Sequence, residues 1–179
     1  MNDRAAFLDL AWGALEAAAS DRNDPMRQIV LATHAETAPE ARILILRSAA
    51  RDDQELEVHS DLFSRKISDI NANPDVSILA WSAARNLQIR LRARVSIASG
   101  DTVKRAWSKV PAAARIGYGG PVPGTAIAAP GPRGPEDATR FAVLTAKVER
   151  LDVLELGDPH HRRAIFDARD NFSGQWVAP

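Results

Sequence analysis

Hydroxyls, two adjacent cations and a helix start coincide between His59 and Pro74. The stretch reads His59-Ser60-Asp61-Leu62-Phe63-Ser64-Arg65-Lys66, then Ile67-Ser68-Asp69-Ile70-Asn71-Ala72-Asn73-Pro74. Leu56, Val58 and Ser60 alternate with Glu57 and His59, the period of a strand. Ser64 is placed to cap a short helix that carries Ile67 and Ile70 on one face. Pro74 ends that helix by disfavouring helical geometry at Asn73. A strand end, a polar turn and free backbone N–H groups beside Arg65 and Lys66 outline an anion site, most naturally for a phosphate. A capped surface helix with Arg65 and Lys66 in solvent would read the same way.

The elements that must hold this turn follow from periodicity. Residues 3–19 read as an amphipathic helix, with Phe7, Leu8, Ala11, Ala14, Leu15 and Ala18 at helical spacing and Trp12 on the flank. Gln28 to Thr33 is a short apolar strand. Arg42-Ile43-Leu44-Ile45-Leu46-Arg47 is a continuous apolar run between cations and fits a strand buried on both faces. Glu55 to Ser60 returns from a hairpin loop, and Val76 to Trp81 is a further strand. Leu87 to Ile97 alternates most regularly, with Leu87, Ile89, Leu91, Ala93, Val95 and Ile97 on one face. Gln88, Arg90, Arg92, Arg94 and Ser96 take the other. Like charges two residues apart need solvent, acids, a second subunit or a ligand.

Thr102 to Lys109 and Pro111 to Ile116 read as two short helices. Residues 117–136 hold much of the glycine and proline and form a long loop. Phe141 to Leu154 is a long strand, Gly157-Asp158-Pro159 a turn and His161 to Ala168 a last strand. Hairpin-joined strands with helices at the ends indicate the α+β class, mainly β, as a closed or split antiparallel barrel. The length, 179 residues, fits a single domain over 1–179.

Composition excludes several chemistries. There is no cysteine, so disulfides, thiolate catalysis and Cys-ligated metals are out. Of four histidines only His160 and His161 are close in sequence, and no metal site is expected. The 23 basic and 23 acidic side chains cancel, which points to neither a nucleic-acid nor a membrane partner. Asp3, Asp9 and Glu16 interrupt any signal-like N-terminus, so a cytoplasmic protein is expected. No Gly-x-Gly-x-x-Gly or Walker loop is present.

Taken together, Arg42 to Arg47, His59-Ser60 followed by Ser64-Arg65-Lys66 with Asn-x-Asn-Pro after it, and Gln88 on the next long strand resemble the pyridoxamine 5′-phosphate oxidase family of FMN-binding split barrels. The resemblance spans roughly residues 10 to 176. Trp107 through Arg115 to Pro123-Gly124-Thr125, and the stretch from Leu156 to Arg163, look closer to a bacterial subgroup of that superfamily. The resemblance implies that Arg42, Ser64, Arg65 and Lys66 hold the FMN phosphate and that Ile43, Leu44, Ile45 and Leu46 line the flavin through their backbone. Arg47 takes the place of a lysine near flavin and substrate. His59 and Ser60 match an aromatic–hydroxyl pair, from which His59 departs. Gln88 matches the glutamine at the isoalloxazine edge, and Arg163 an arginine on the last strand.

Departures concern the substrate. The oxidases that make pyridoxal phosphate hold its phosphate with a Tyr, an Arg and a Ser; the corresponding segment here places Trp107, Pro111 and Arg115. An Arg-Leu-His motif on their last strand is replaced by Pro159-His160-His161-Arg162-Arg163, where only His161 matches. The resemblance thus implies an FMN-dependent oxidoreductase that moves hydride from a small-molecule substrate to FMN and then to O₂ or another acceptor. It also implies a homodimer with FMN at the subunit interface. Split barrels that bind FMN, haem or a deazaflavin without oxidising pyridoxamine phosphate are the alternative. A cofactor-free barrel with the cationic strand as a dimer seam is a third.

Overall fold

A computed structural model describes residues 3–131, 134–157 and 159–179. Pro132 of the glycine–proline loop and Asp158 of the expected turn lie outside the described residues.

The first helix, α1 (Arg4–Ser20), starts where the Asp3 carboxylate accepts from the Ala5 and Ala6 N–H groups at 2.9 and 3.3 Å. Its apolar stripe packs on the sheet, and Trp12, expected on the flank, is buried with it. The strands are β1 (Gln28–His34), β2 (Pro39–Ala50), β3 (Glu55–Asp61), β4 (Asp75–Ser82), β5 (Leu87–Ser99), β6 (Phe141–Glu155), β7 (Arg162–Asp167) and β8 (Gln175–Trp176). They lie in the order β3-β2-β1-β4-β5-β6-β7-β8, all neighbours antiparallel. Strand β3 also pairs with β6, from Glu55↔Lys147 to Asp61↔Phe141. That seam closes six strands into a barrel, and β7 and β8 extend it outward. Helix α2 (Arg65–Ala72) carries the chain from β3 to β4.

The core fills the barrel and continues under α1. On β5 the inward residues Leu87, Ile89, Leu91, Ala93 and Val95 are buried, as alternation requires. The cations of its other face find two acids: Arg90 bonds Asp152, and Arg94 lies 3.1 Å from Asp75. Arg92 stands directly opposite Arg150, with no hydrogen bond or ion pair of its own among the described residues. A register shift follows at Arg92/Ala93.

Strand β2 corrects an expectation. Its apolar run is not buried on both faces: Leu46 is buried, Arg42, Leu44 and Ile45 are half-buried, and Ile43 is 62% exposed. The residues in register with Ile43 across the sheet are Val30, Leu79, Arg90, Asp152 and Ile165. No layer of the described chain covers this outer face at Ile43 or at Trp81, which is 42% exposed.

A second, smaller core joins Val103, Val110, Tyr118, Phe141 and Val143, with Trp107 packed against it. It sits under a 3₁₀ turn (Gly100–Val103), α3 (Lys104–Ser108) and α4 (Ala112–Arg115), which replace the longer helices expected over 102–109 and 111–116. The loop after it is closed at its base. Gly119 bridges Glu136, and the Asp137 N–H donates to the Tyr118 carbonyl at 2.7 Å.

Candidate functional site

The turn between β3 and α2 gathers its hydroxyls around one ammonium. Lys66 Nζ donates to Ser60 Oγ at 3.1 Å and to Ser64 Oγ at 2.9 Å, and the two hydroxyls are 3.0 Å apart. Ser64 occupies the N-cap position, but its hydroxyl bonds no backbone N–H of the helix; it donates to the Asp61 carbonyl at 2.7 Å. The helix start therefore keeps N–H groups that no side chain caps.

Arg42 reaches the same locus from β2. Its guanidinium donates to the Leu31 carbonyl at 3.3 Å and to Thr33 Oγ1 at 2.7 Å, and lies 3.7 Å from Asp69 Oδ2. Thr33 Oγ1 in turn donates to Asp69 at 2.9 Å. Burial and then the charge of Arg42 hold the Lys66 ammonium below the ordinary lysine value. Lys66 and Arg42 are thus near enough for their charges to interact. Arg65 points to the exposed side of the helix, about 100° away from Lys66, and lines a shallow pocket with His34, Glu36, Ser68 and Asp69, the acid that Arg42 also approaches.

The turn is braced from behind. Asp61, 8% exposed, pairs with Arg140, 5% exposed, at 2.6 Å, and also accepts from the Phe63 N–H at 2.8 Å. Arg140 donates to the Gly120 carbonyl at 2.6 Å and stacks over Phe63. The base of the glycine–proline loop is thereby tied to the turn.

Across β3 from Ser60, the odd residues face a different space. Glu57 and His59, with Ile45 and Arg47 of β2, form the floor of a cleft of about 1080 Å³. One wall is the corner from Arg22 to Gln28; the other is the segment from Thr102 to Ala114. His59 Nε2 lies 3.0 Å from Glu57 Oε1, and the ring sits edge-on to Phe141. The bond to His59 holds the Glu57 carboxyl below its usual value, against the opposing effect of burial. Two buried side-chain nitrogens on this floor, Arg47 Nε and His59 Nδ1, have no hydrogen-bond partner. Burial lowers the Arg47 pKa; Tyr118 opposes it, the nearby charges of Arg27 and Arg22 push the same way as burial, and Glu57 opposes them.

The remaining candidates are dispersed. Pro111 lines the cleft but Trp107 and Arg115 do not. Trp107 packs against Tyr118 and Phe141, and Arg115 stacks over Trp107 while donating to the Val110 carbonyl at 3.0 Å. This segment lines the cleft with Arg105, Ala106, Lys109, Val110 and Ala114 besides Pro111. Gln88 is half-buried on β5, in register with Trp81 and Leu154. Arg163 grips Asp152 with two bonds of 2.9 and 2.8 Å, beside Arg90 on the same carboxylate. His161 is exposed just ahead of β7. Gln88 and Arg163 belong to the outer sheet face, whereas Arg42 and Lys66 belong to the barrel end.

Sequence reading missed Thr33, Asp69, Asp61, Arg140 and Asp152. Asp152 alone carried a signal, a single acid inside the apolar run Leu151-Asp152-Val153.

A closed six-stranded antiparallel barrel whose helix-start turn is lined by cations and hydroxyls defines a split barrel of the flavin-binding class. The chain belongs to the family described as pyridoxamine 5′-phosphate oxidase, FMN-binding domain, whose model matches residues 10–99. A pyridoxine/pyridoxamine 5′-phosphate oxidase of Burkholderia vietnamiensis is 29% identical over 102 residues; the match covers 57% of this chain and 47% of that protein. The chain thus spans about half the length of the curated relative it matches. Among solved structures, a pyridoxamine 5′-phosphate oxidase-related, FMN-binding protein from Nostoc punctiforme superposes with a TM-score of 0.77 at 25% identity, covering 96% of both chains. PhzG from Burkholderia lata, solved with tetrahydrophenazine-1-carboxylic acid, gives 0.68 at 17% identity over 99% of this chain and 93% of its own. This last likeness is one of fold.

Proposed function

We propose that the protein is an FMN-dependent oxidoreductase acting on a small organic substrate. The observation that carries the reading is the convergence of Lys66, Arg42, Ser60 and Ser64 on one locus at the start of α2. A phosphate dianion fits that set. Lys66 is desolvated and pushed by Arg42, and an anion between them relieves both costs. The two hydroxyls and the uncapped N–H groups of α2 supply donors. Thr33 and Asp69 hold Arg42 toward this locus, and the Asp61–Arg140 pair fixes the turn. FMN, when bound, would supply hydride acceptance and the onward passage of electrons. Arg47 and His59 then lie on the floor of the substrate cleft, where Arg47 offers an unsatisfied N–H.

The outer face of β1, β2 and β4, with Ile43 and Trp81 uncovered, supports a homodimer in which a second copy closes the site. Gln88 and Arg163, on that face and away from Lys66, would then serve the partner's flavin. The locus reads a phosphate rather than a ring, so a deazaflavin remains the second reading.

The test is a titration of purified protein with FMN. Lys66→Ala and Arg42→Ala each lose one charge-assisted contact and weaken FMN binding by about tenfold or more. Arg65→Ala loses less. Protein that binds no FMN, or variants that bind it as the parent does, overturn the reading.

A further inference from the structure

Resting on the phosphate reading above, we infer that Arg140 couples the turn at the start of α2 to the neck of the glycine–proline loop. An anion held at the turn tightens the neck, and a neck forced open loosens the hold on the anion.

The neck is a close approach of two backbones. Gly119 bridges Glu136, the Asp137 N–H donates to the Tyr118 carbonyl, and a Cβ built on Gly134 would meet the Gly120 Cα at 3.1 Å. Beyond it, residues 121–131 are exposed except for the half-buried Pro123. Arg140 stands on the 3₁₀ turn (Ala138–Arg140) that leads from the neck into β6. The Asp137 carboxylate caps that turn by accepting from the Thr139 N–H at 2.9 Å.

Arg140 touches both sides. Towards the phosphate turn its guanidinium pairs with Asp61, its carbonyl accepts from the Leu62 N–H at 2.7 Å, and its side chain stacks over Phe63. Towards the neck, Nη1 donates to the Gly120 carbonyl at 2.6 Å. Both members of the Asp61–Arg140 pair are buried, so neither moves alone without stranding a charge.

The turn has to shift when an anion arrives. The hydroxyls that would serve the anion are engaged with Asp61: its carbonyl accepts from Ser64 Oγ at 2.7 Å and from Ser60 Oγ at 3.2 Å. A phosphate that takes those donors leaves the carbonyl without them, and Asp61 must resettle. Arg140 Nε, buried with no acceptor, gives the pair a second arrangement in which Nε and Nη2 both bond the Asp61 carboxylate. The firmer pair fixes Arg140 and, through Nη1, the Gly120 carbonyl. Linkage makes the effect equal when read from either end.

The test is amide hydrogen exchange with and without saturating FMN. FMN should slow the Asp137 N–H about fivefold or more. The Gln54 N–H, bonded to the Arg51 carbonyl at 3.0 Å in the hairpin before β3, should keep its rate. Riboflavin, which lacks the phosphate, should slow neither. Arg140→Lys should still bind FMN, but its Asp137 N–H should no longer respond. Gly119→Ala, outside the turn, should raise the FMN dissociation constant about fivefold or more. It should also speed exchange of the Leu62 N–H in the ligand-free protein. Asp137→Ala, which uncaps the turn carrying Arg140, serves if thermal melting shows that Gly119→Ala does not fold. Equal slowing at Asp137 and Gln54, a response that survives Arg140→Lys, or a Leu62 amide unmoved by opening the neck would overturn the inference. Protein that binds no FMN removes the oxidoreductase reading, and Leu62 exchange in the neck variants then decides the coupling by itself.

Discussion

Asp61 and Arg140 are a buried ion pair at the back of the phosphate turn, and at the scale of single residues theirs is the costliest contact to break. Removing one partner strands the other charge away from water. Arg140→Met should therefore destabilise the protein by about 3–5 kcal/mol in urea unfolding. The double variant Asp61→Leu/Arg140→Met should recover part of that loss, because no lone charge remains. The carboxylates set the acid limit. Asp152 is under opposing influences: burial alone would raise it, but hydrogen bonds from Arg163 and Arg90 and their charges hold it below its usual value. Asp24 and Glu57 are lowered as well, chiefly by bonds to Arg85 and His59. A folded-state pKa below the unfolded one means the folded state binds fewer protons. The stabilisation is present above about pH 4 and is lost as pH falls through the folded values. The urea midpoint should drop between pH 5 and pH 3, and Asp152→Asn should flatten that drop. The Asp61–Arg140 pair was not legible beforehand, because its partners are 79 residues apart. The contact between Lys66 and Ser64 lies within one contiguous turn, where sequence alone places both side chains together.

At the scale of elements, regular alternation reported itself. Strands β3, β4 and β5 begin and end within two residues of where period-2 patterning puts them. Short helices did not. α3 and α4 have five and four residues, too few to fix a rotation, and a one-residue slip turns a helix face by about 100°. Trp107 and Arg115 were named from the resemblance alone, which gives positions in the chain and not the direction in which a short helix turns them. The burial of β2 was misjudged for another reason: an apolar run records a wish to be covered, and the covering layer is absent from the described chain. The glycine–proline loop is less free than its composition suggests. A Cβ on Gly119 would stand 2.1 Å from the Pro135 carbonyl oxygen. Gly119→Ala should force the loop base open at a local cost of about 1–3 kcal/mol. Hydrogen exchange at the Asp137 N–H, bonded to Tyr118, should report it as lost protection.

For the whole molecule, barrel class was readable from hairpins and terminal helices, but strand order was not, because β3 pairs with the distant β6 as well as with β2. The uncovered face at Ile43 and Trp81 belongs to this scale. If a second copy covers it, light scattering should give twice the 19.4 kDa chain mass, and Ile43→Asp should halve it. A parent protein that scatters as a single chain removes the shared-site proposal while leaving the phosphate locus intact.

The β3–β6 seam has a consequence for synthesis. A ribosome that has not yet passed residue 141 has released a sheet with two open edges, β3 and β5, whose unpaired amides invite other chains. One 15-residue strand seals both at once. Until it arrives the nascent polypeptide is at its most adhesive, and such distant pairing is slow to form.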